Sequence, residues 1–264
     1  MILQRFQDKD YRGLIRYPDR ALTFGCAGLG DVAQLAALYR AIAVTPANYR
    51  VKLDPDHPRN FAHTGGMFLV HDEASIRREI LSGKSFFAVA REPGGQIAAS
   101  FWVSSKDPQF EDFSPAPEGF SENPGAYPSL VRALREGTVV YPRELIVAEG
   151  CSAPKLAHLM FYTIFCAMSR KGYTHSLGEV YKAWALRDSD GRRVIDLLNT
   201  RSFEMTHATG GYWIGIFPHR EVELGSFAVT IESRIFCFDY SNMLPRMAQS
   251  FAESEIQIVF GEAV

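Results

Sequence analysis

The segment VVYPRELIVAEGCSAPKLAHLMFYTIFCAMSRKGY, Val139 to Tyr173, constrains the fold of this chain more than any other. Its first part, residues 139–148, is a short apolar and β-branched run, the composition of a buried strand. Its second part, from about Ser152 to Lys171, puts Leu156, Leu159, Met160, Ile164, Ala167 and Met168 at helical spacing. Gly172 then stands where helices close in the left-handed conformation. A strand that turns directly into a buried helix aims the helix's unpaired N-terminal amides past the strand's end. Such junctions bind phosphate, because those donors coincide with the positive end of the helix dipole. The turn here reads Gly150-Cys151-Ser152-Ala153-Pro154-Lys155 and is not glycine-rich. Ser152 is a capping residue type, and Pro154 is tolerated in a first turn but brings no donor. Lys155 supplies a point charge. An ordinary capped helix that binds nothing fits the same residues.

The rest of the composition narrows the function class. The chain has 264 residues, 47% of them hydrophobic and 22% charged, with a formal net charge of -2. That balance carries no polyanion footprint, so no nucleic-acid partner is expected. The first residues, MILQRFQDKDYRG, hold no secretory signal, and the apolar run Leu156–Met168 is too short to span a bilayer. A cytoplasmic protein without a membrane partner is the expectation. Cys26, Cys151, Cys166 and Cys237 form no C-x-x-C pair, and the seven histidines form no H-E-x-x-H, so no metal is expected.

Along the chain, residues 1–20 read as a polar arm. ALTFGCA (21–27) reads as a strand, and Asp31 caps a helix over DVAQLAALYRAIAV. A proline-bearing loop, residues 45–66, precedes the amphipathic helix DEASIRREILSG. SFFAVAREPGGQIAASFWVSS is a hairpin turned by Pro-Gly-Gly. Residues 106–137 read as a long insert ending in a short helix, LVRALREG. After the opening segment come a strand at THSLGEVY, a helix at DGRRVIDLLNTRS, and strands at GGYWIGIF and FAVTIESRIFCFDY. The domain expected is residues 21–217, with 218–264 as a C-terminal extension.

The order strand, helix, helix, hairpin, strand, helix, strand, helix, strand resembles the GNAT superfamily, the GCN5-related N-acyltransferases. FLVHDEASIRREILSGKSFFAVAREPGGQIAASFWV, the strand-loop-helix at 139–171 and VIDLLNTRSFEM carry the resemblance. It implies an α/β fold: a mixed, mostly antiparallel central sheet flanked by helices, with a splay between the fourth and fifth strands. It implies acetyl-CoA or a longer acyl-CoA as co-substrate, and no metal. Leu145, Ile146 and Val147 would flank the pantetheine, and Ser152, Ala153, Lys155, Leu156 and Ala157 would meet the pyrophosphate. The family loop runs Arg or Gln, two residues, Gly, one residue, then Gly or Ala. This chain departs from it, with Cys151 or Ser152 at the first position and Pro154 or Lys155 at the central glycine.

Acyl transfer to an amine needs a neutral amine, so a base helps at neutral pH. Glu144, on the fourth strand, is the candidate. Strand alternation turns Glu149 to the opposite face. A salt bridge from Glu144 to Arg143 or another cation is the plain alternative. The resemblance puts an acidic tyrosine in the last helix, but Leu198 occupies that position, which makes Tyr181 the replacement candidate. Tyr49, Arg50, Arg59, Asn60, Phe61 and His63 border the acceptor side in such a fold. The activity implied is acyl-CoA-dependent N-acylation of a small-molecule amine. Two alternatives remain: an acyl-carrier-protein-dependent N-acyl amino acid or autoinducer-type synthase, and a catalytically inactive GNAT-like binding or assembly module. A homodimer is left open.

Overall fold

The computed structural model describes residues 11–68, 70–107, 110, 123–186, 193–225 and 227–261. The N-terminal part holds β1 (Arg12–Arg16), β2 (Ala21–Cys26), α1 (Val32–Ile42), α2 (Tyr49–Lys52), α3 (Phe61–Thr64) and α4 (Glu73–Ser82). The centre holds β3 (Ser85–Arg91), β4 (Ile97–Ser104), α5 (Ala126–Glu136), β5 (Val139–Val147), α6 (Leu156–Arg170) and β6 (His175–Leu186). There follow β7 (Arg193–Leu198), α7 (Thr200–Ala208), β8 (Tyr212–Leu224), β9 (Phe227–Asp239), α8 (Tyr240–Ala252) and β10 (Gln257–Phe260). Of the insert expected at 106–137, residues 108–109 and 111–122 lie outside the described residues, and its helix is α5, closed by Gly137 at φ 67°.

One sheet runs in the order β10-β1-β2-β3-β4-β5-β6-β9-β8, with β7 also paired to β6. Among the described strands every pairing is antiparallel except β5 with β6. This is the mixed, mostly antiparallel sheet expected, and β5 and β6 are the fourth and fifth strands of the sequence reading, which did not count β1. The arm expected through residue 20 holds β1, and the boundary expected at 217 falls within β8. β10 pairs with β1, so the first and last described strands meet at one sheet edge.

Each face of the sheet is covered. On one face α6 and α8 pack over Phe101, Val140, Val180 and Phe238. Leu159, Met160, Ile164, Phe165 and Met168 of α6 have no exposed surface, and each buried side chain of this size contributes roughly 1.5–3 kcal/mol. The other face carries three separate apolar clusters. One lies under α1 and α4 around Tyr39 and Trp102. One lies under α2 and α3 around Phe61 and Ile231. One lies under α5 around Leu130 and Leu177.

Two local readings are corrected. DGRRVIDLLNTRS is not a helix: its described part is β7 followed by the first turn of α7. Ile195 and Leu197 point inward while Asp196 points out to Lys182 at 2.9 Å, the period of a strand. Asn199 then starts the helix by accepting from the Ser202 amide at 3.1 Å. The helix after β5 begins at Leu156 rather than near Ser152, because Lys155 takes a left-handed conformation at φ 56°.

Candidate active site

Between the described strands the β5–β6 pairing is the only parallel one, and it is very short. Only Val139↔His175 and Val140↔Ser176 are in register before the strands part. They still touch at Gly178, where an added Cβ would lie 3.5 Å from Pro142 Cγ. Further along, β7 takes over the edge of β6 from Lys182 onward. The result is a V-shaped slot with its apex at Pro142 and Gly178. Residues 142–147 of β5 and 178–181 of β6 line it, completed by Ala157 and Phe161 of α6 and by Arg201, Ser202, Met205 and Thr206 of α7.

A β-bulge lies beside this slot. Trp102 pairs with Glu144 and Val103 with Pro142, leaving Arg143 as the extra residue. The bulge brings two successive side chains to one face. Arg143 lies over the Trp102 ring at 4.9 Å, and Glu144 reaches His71, which packs on the same ring. Strand alternation read from sequence would have separated them.

Glu144 is 9% exposed, with Oε1 3.7 Å from His71 Nε2. Its Oε2 is buried with no hydrogen-bond partner among the described residues. It is not paired to Arg143, which instead binds Asp107 at 3.2 Å. Glu149 lies beyond the strand, exposed, in a 3.0 Å pair with Arg59. It does not line the slot.

Glu144 belongs to a polar island on the face that carries the three apolar clusters. On β6, Leu177 joins the α5 cluster and Ala183 the α2–α3 cluster. The same-face residues between them, Glu179 and Tyr181, both line the slot. Arg220 lies 5.6 Å from the centre of the Tyr181 ring. Burial pushes the Glu179 carboxyl up to about 7; Asp107 adds to the rise, while a Ser233 hydrogen bond and the charges of Arg220 and Arg143 oppose it. Burial also pushes the Tyr181 phenol far above its ordinary range, so its proton stays on.

The expected site residues divide as follows. Glu144, Tyr181, Leu145, Ile146, Val147 and Ala157 line the slot. Ser152, Ala153, Lys155 and Leu156 do not. Ala153 and Leu156 are buried in the core beside α6. Ser152 accepts from Arg20 at 3.1 Å instead of capping the helix. Lys155 occupies the N-cap position without a side-chain cap bond. The amides of Leu156, Ala157 and His158 find no acceptor among the described residues, as expected of a first turn. Leu198 belongs to β7, so the position assigned to a helical tyrosine is not helical. In the segment between the first helices the slot is met by residues 64–67, not by Tyr49, Arg50, Arg59, Asn60, Phe61 or His63. Phe61 and Asn60 are buried there as structural residues.

No protein-family model matches this chain, and the search of curated proteins gives no significant match. Among solved structures it is similar to a GCN5-related N-acetyltransferase from Kribbella flavida (11% identity, 84% of this chain and 99% of that one, TM-score 0.47). It is similar to RimJ of Mycobacterium smegmatis in complex with CoA-disulfide (9% identity, 92% and 95% covered, TM-score 0.48). A third is a GNAT-superfamily phosphinothricin acetyltransferase from Sinorhizobium meliloti in complex with AcCoA (10% identity, 83% and 88% covered, TM-score 0.45). At such values the function must be read from the chain's own residues.

Sequence reasoning missed Glu179, His71 and Asp107. Glu179 sits in an ordinary alternating strand, LGEVYKA, and no spacing marks it. The bulge that aims Glu144 leaves no motif either. Chemically, the site offers a slot between two strand edges, a low-exposure carboxylate on one wall, and a carboxyl and a phenol on the other.

Proposed function

We propose that this chain is an acyl-CoA-dependent N-acyltransferase of the GNAT type that acylates the amine of a small molecule. The observation that carries this is the splayed parallel pair. Two strands that share only two register pairs at one end expose facing backbone edges along the rest. A chain-like cofactor arm can lie between them as a strand would, hydrogen-bonding to edge groups that otherwise lack partners. The α6 first turn follows β5 through a short loop and presents unpaired amides to an anion, which suits a pyrophosphate at the wide end.

In this arrangement the thioester reaches the apex, near Glu144. Glu144 takes the proton as the amine nitrogen attacks the thioester carbon and the C–N bond forms. The C–S bond then breaks with its electron pair on sulfur. Leu145, Ile146 and Val147 flank the arm, Ala157 and Phe161 form an apolar side of the slot, and Lys155 supplies charge near the helix start. An acetyl group or a longer chain meets the same apolar side, and a soluble, cytoplasmic setting fits this co-substrate. Among the described residues no helix is long and apolar enough to cross a membrane.

Calorimetry with acetyl-CoA tests the reading first. Saturating ligand at 100 times its Kd raises stability by about 2.7 kcal/mol. Glu144→Gln is expected to keep acetyl-CoA binding and to slow transfer roughly 10²–10⁴-fold, with the deficit shrinking at high pH, where the amine is already neutral. A wild-type protein with no affinity for acetyl-CoA would remove the acyltransferase assignment and favour a binding or assembly module.

A further inference from the structure

Acyl transfer leaves a thiolate to be protonated, and the resemblance to GNAT enzymes assigned that work to a helical tyrosine. Here Leu198, the residue at that position, is a strand residue. Of the α7 residues in the slot, Arg201, Ser202, Met205 and Thr206, none is an acid. Tyr181 holds its proton too tightly, because burial has moved its phenol far above a thiol's pKa of about 8.5.

We propose that Glu179 is the general acid of this site, donating its proton to the departing thiolate; this rests on the acyl-transfer reading above. Position carries the inference. The slot closes at Pro142 and Gly178, and the first ionisable side chains beyond that point are Arg143 and Glu144 on β5 and Glu179 on β6. The two carboxyl groups therefore stand on opposite walls at the reacting end of the slot. Each has one buried oxygen, Oε2, without a hydrogen-bond partner among the described residues, so each has an unused position for a reacting group. Arg143 is already engaged with Asp107 and cannot act as an acid at neutral pH.

The surroundings suit the role. Among the described residues, the charged and titratable groups acting on Glu179 are Asp107, Arg143, Arg220 and the neighbouring Tyr181, with the Ser233 hydroxyl bonded to its carboxyl. Burial dominates and keeps a substantial fraction of the carboxyl protonated near neutral pH. Proton transfer from such a carboxyl to a thiolate runs downhill, because the thiol is the weaker acid. Two carboxyl groups in different environments can thus divide base and acid duty within one site. The atoms balance. The amine proton goes to Glu144, the C–N bond forms, the C–S bond breaks, and the Glu179 proton goes to sulfur. Glu179 then takes a proton from solvent and Glu144 releases one.

The test uses the full chain, acetyl-CoA, and hydroxylamine as a small acceptor that is already neutral at pH 7, with release of the CoA thiol followed against pH. Wild-type kcat is expected to fall above about pH 7, where the acid loses its proton. Glu179→Gln should lower kcat roughly 10²-fold or more, the usual worth of positioned proton transfer, abolish the alkaline decline, and leave the Kd for acetyl-CoA unchanged. Acetyl-seleno-CoA gives the decisive contrast, since a selenolate leaves without needing a proton. With that donor Glu179→Gln should come within a few-fold of wild type. Glu179→Asp, which keeps a carboxyl, should retain the alkaline decline and serves if the amide variant folds poorly. An equal deficit with both donors, a decline that persists in Glu179→Gln, or acetyl-CoA binding without any thiol release by wild type each overturns the proposal. Absence of acetyl-CoA binding overturns the acyltransferase reading, and the proposal with it.

Discussion

Lys155 is the only non-glycine residue with positive φ among the described residues, at 56°. A side chain in that conformation crowds its own backbone, at a cost of roughly 1–2 kcal/mol. Glycine there avoids the clash, but its unfolded chain has more freedom to lose, which returns about 0.4–1 kcal/mol. Comparing Lys155→Gly with Lys155→Ala isolates the Cβ, because both remove the charge. The glycine variant is expected to be more stable by roughly 0.5–1 kcal/mol, the difference between those two effects. For a chain of this size that is a Tm gap of roughly 1–4 °C, read by calorimetry or by circular dichroism. Both variants should also bind acetyl-CoA more weakly, by up to about fivefold, since an exposed ion pair between Lys155 and the pyrophosphate would contribute about 0.2–1 kcal/mol. An alanine variant as stable as the glycine variant would refute the left-handed cap. The helix would then begin earlier, near Ser152, as the sequence pattern suggested.

Glu179 links burial to pH. Its carboxyl is raised from 4.5 to about 7 in the fold, so the folded state binds the extra proton between those values. The stability it contributes is fully present below about pH 4.5 and is lost as pH rises through about 7. Glu179→Gln should therefore match wild type near pH 4.5 and exceed it at pH 8, by at most roughly 3 kcal/mol in urea titrations; equal stability at both pH values would contradict the buried placement. Leu159→Ala, at a position with no exposed surface, should cost about 2–5 kcal/mol in the same assay. Gly211→Ala should cost roughly 1–3 kcal/mol, since the new Cβ would lie 2.5 Å from Phe238 Cε1 and 2.9 Å from Thr206 Cγ2. A neutral result would mean that the chain between α7 and β8 has room to shift.

The sequence by itself determined the elements whose signals are local. The β3–β4 hairpin, the helix through Leu156 to Met168, α4 and the strand that became β5 all followed from period and turn residues, whereas Asp31, read as the cap of α1, makes no side-chain cap bond there. Their order was enough to anticipate a mostly antiparallel sheet with one splayed pair. It misread β7, although Ile195-Asp196-Leu197 alternates as a strand, because so short a run gains its stability from pairing with β6. It also read residues 218–264 as an extension, whereas α8 packs on α6 and β10 closes on β1, contacts between residues far apart in the chain. The site divided in the same way. Glu144 was legible because it stands on a recognisable strand. Its partnership with His71, the bulge that turns Arg143 to the same face, and the left-handed Lys155 depend on register and packing. Glu179 was invisible in sequence, because a carboxyl becomes a weak acid only when other elements exclude water from it, and only the assembled sheet and its helices do that.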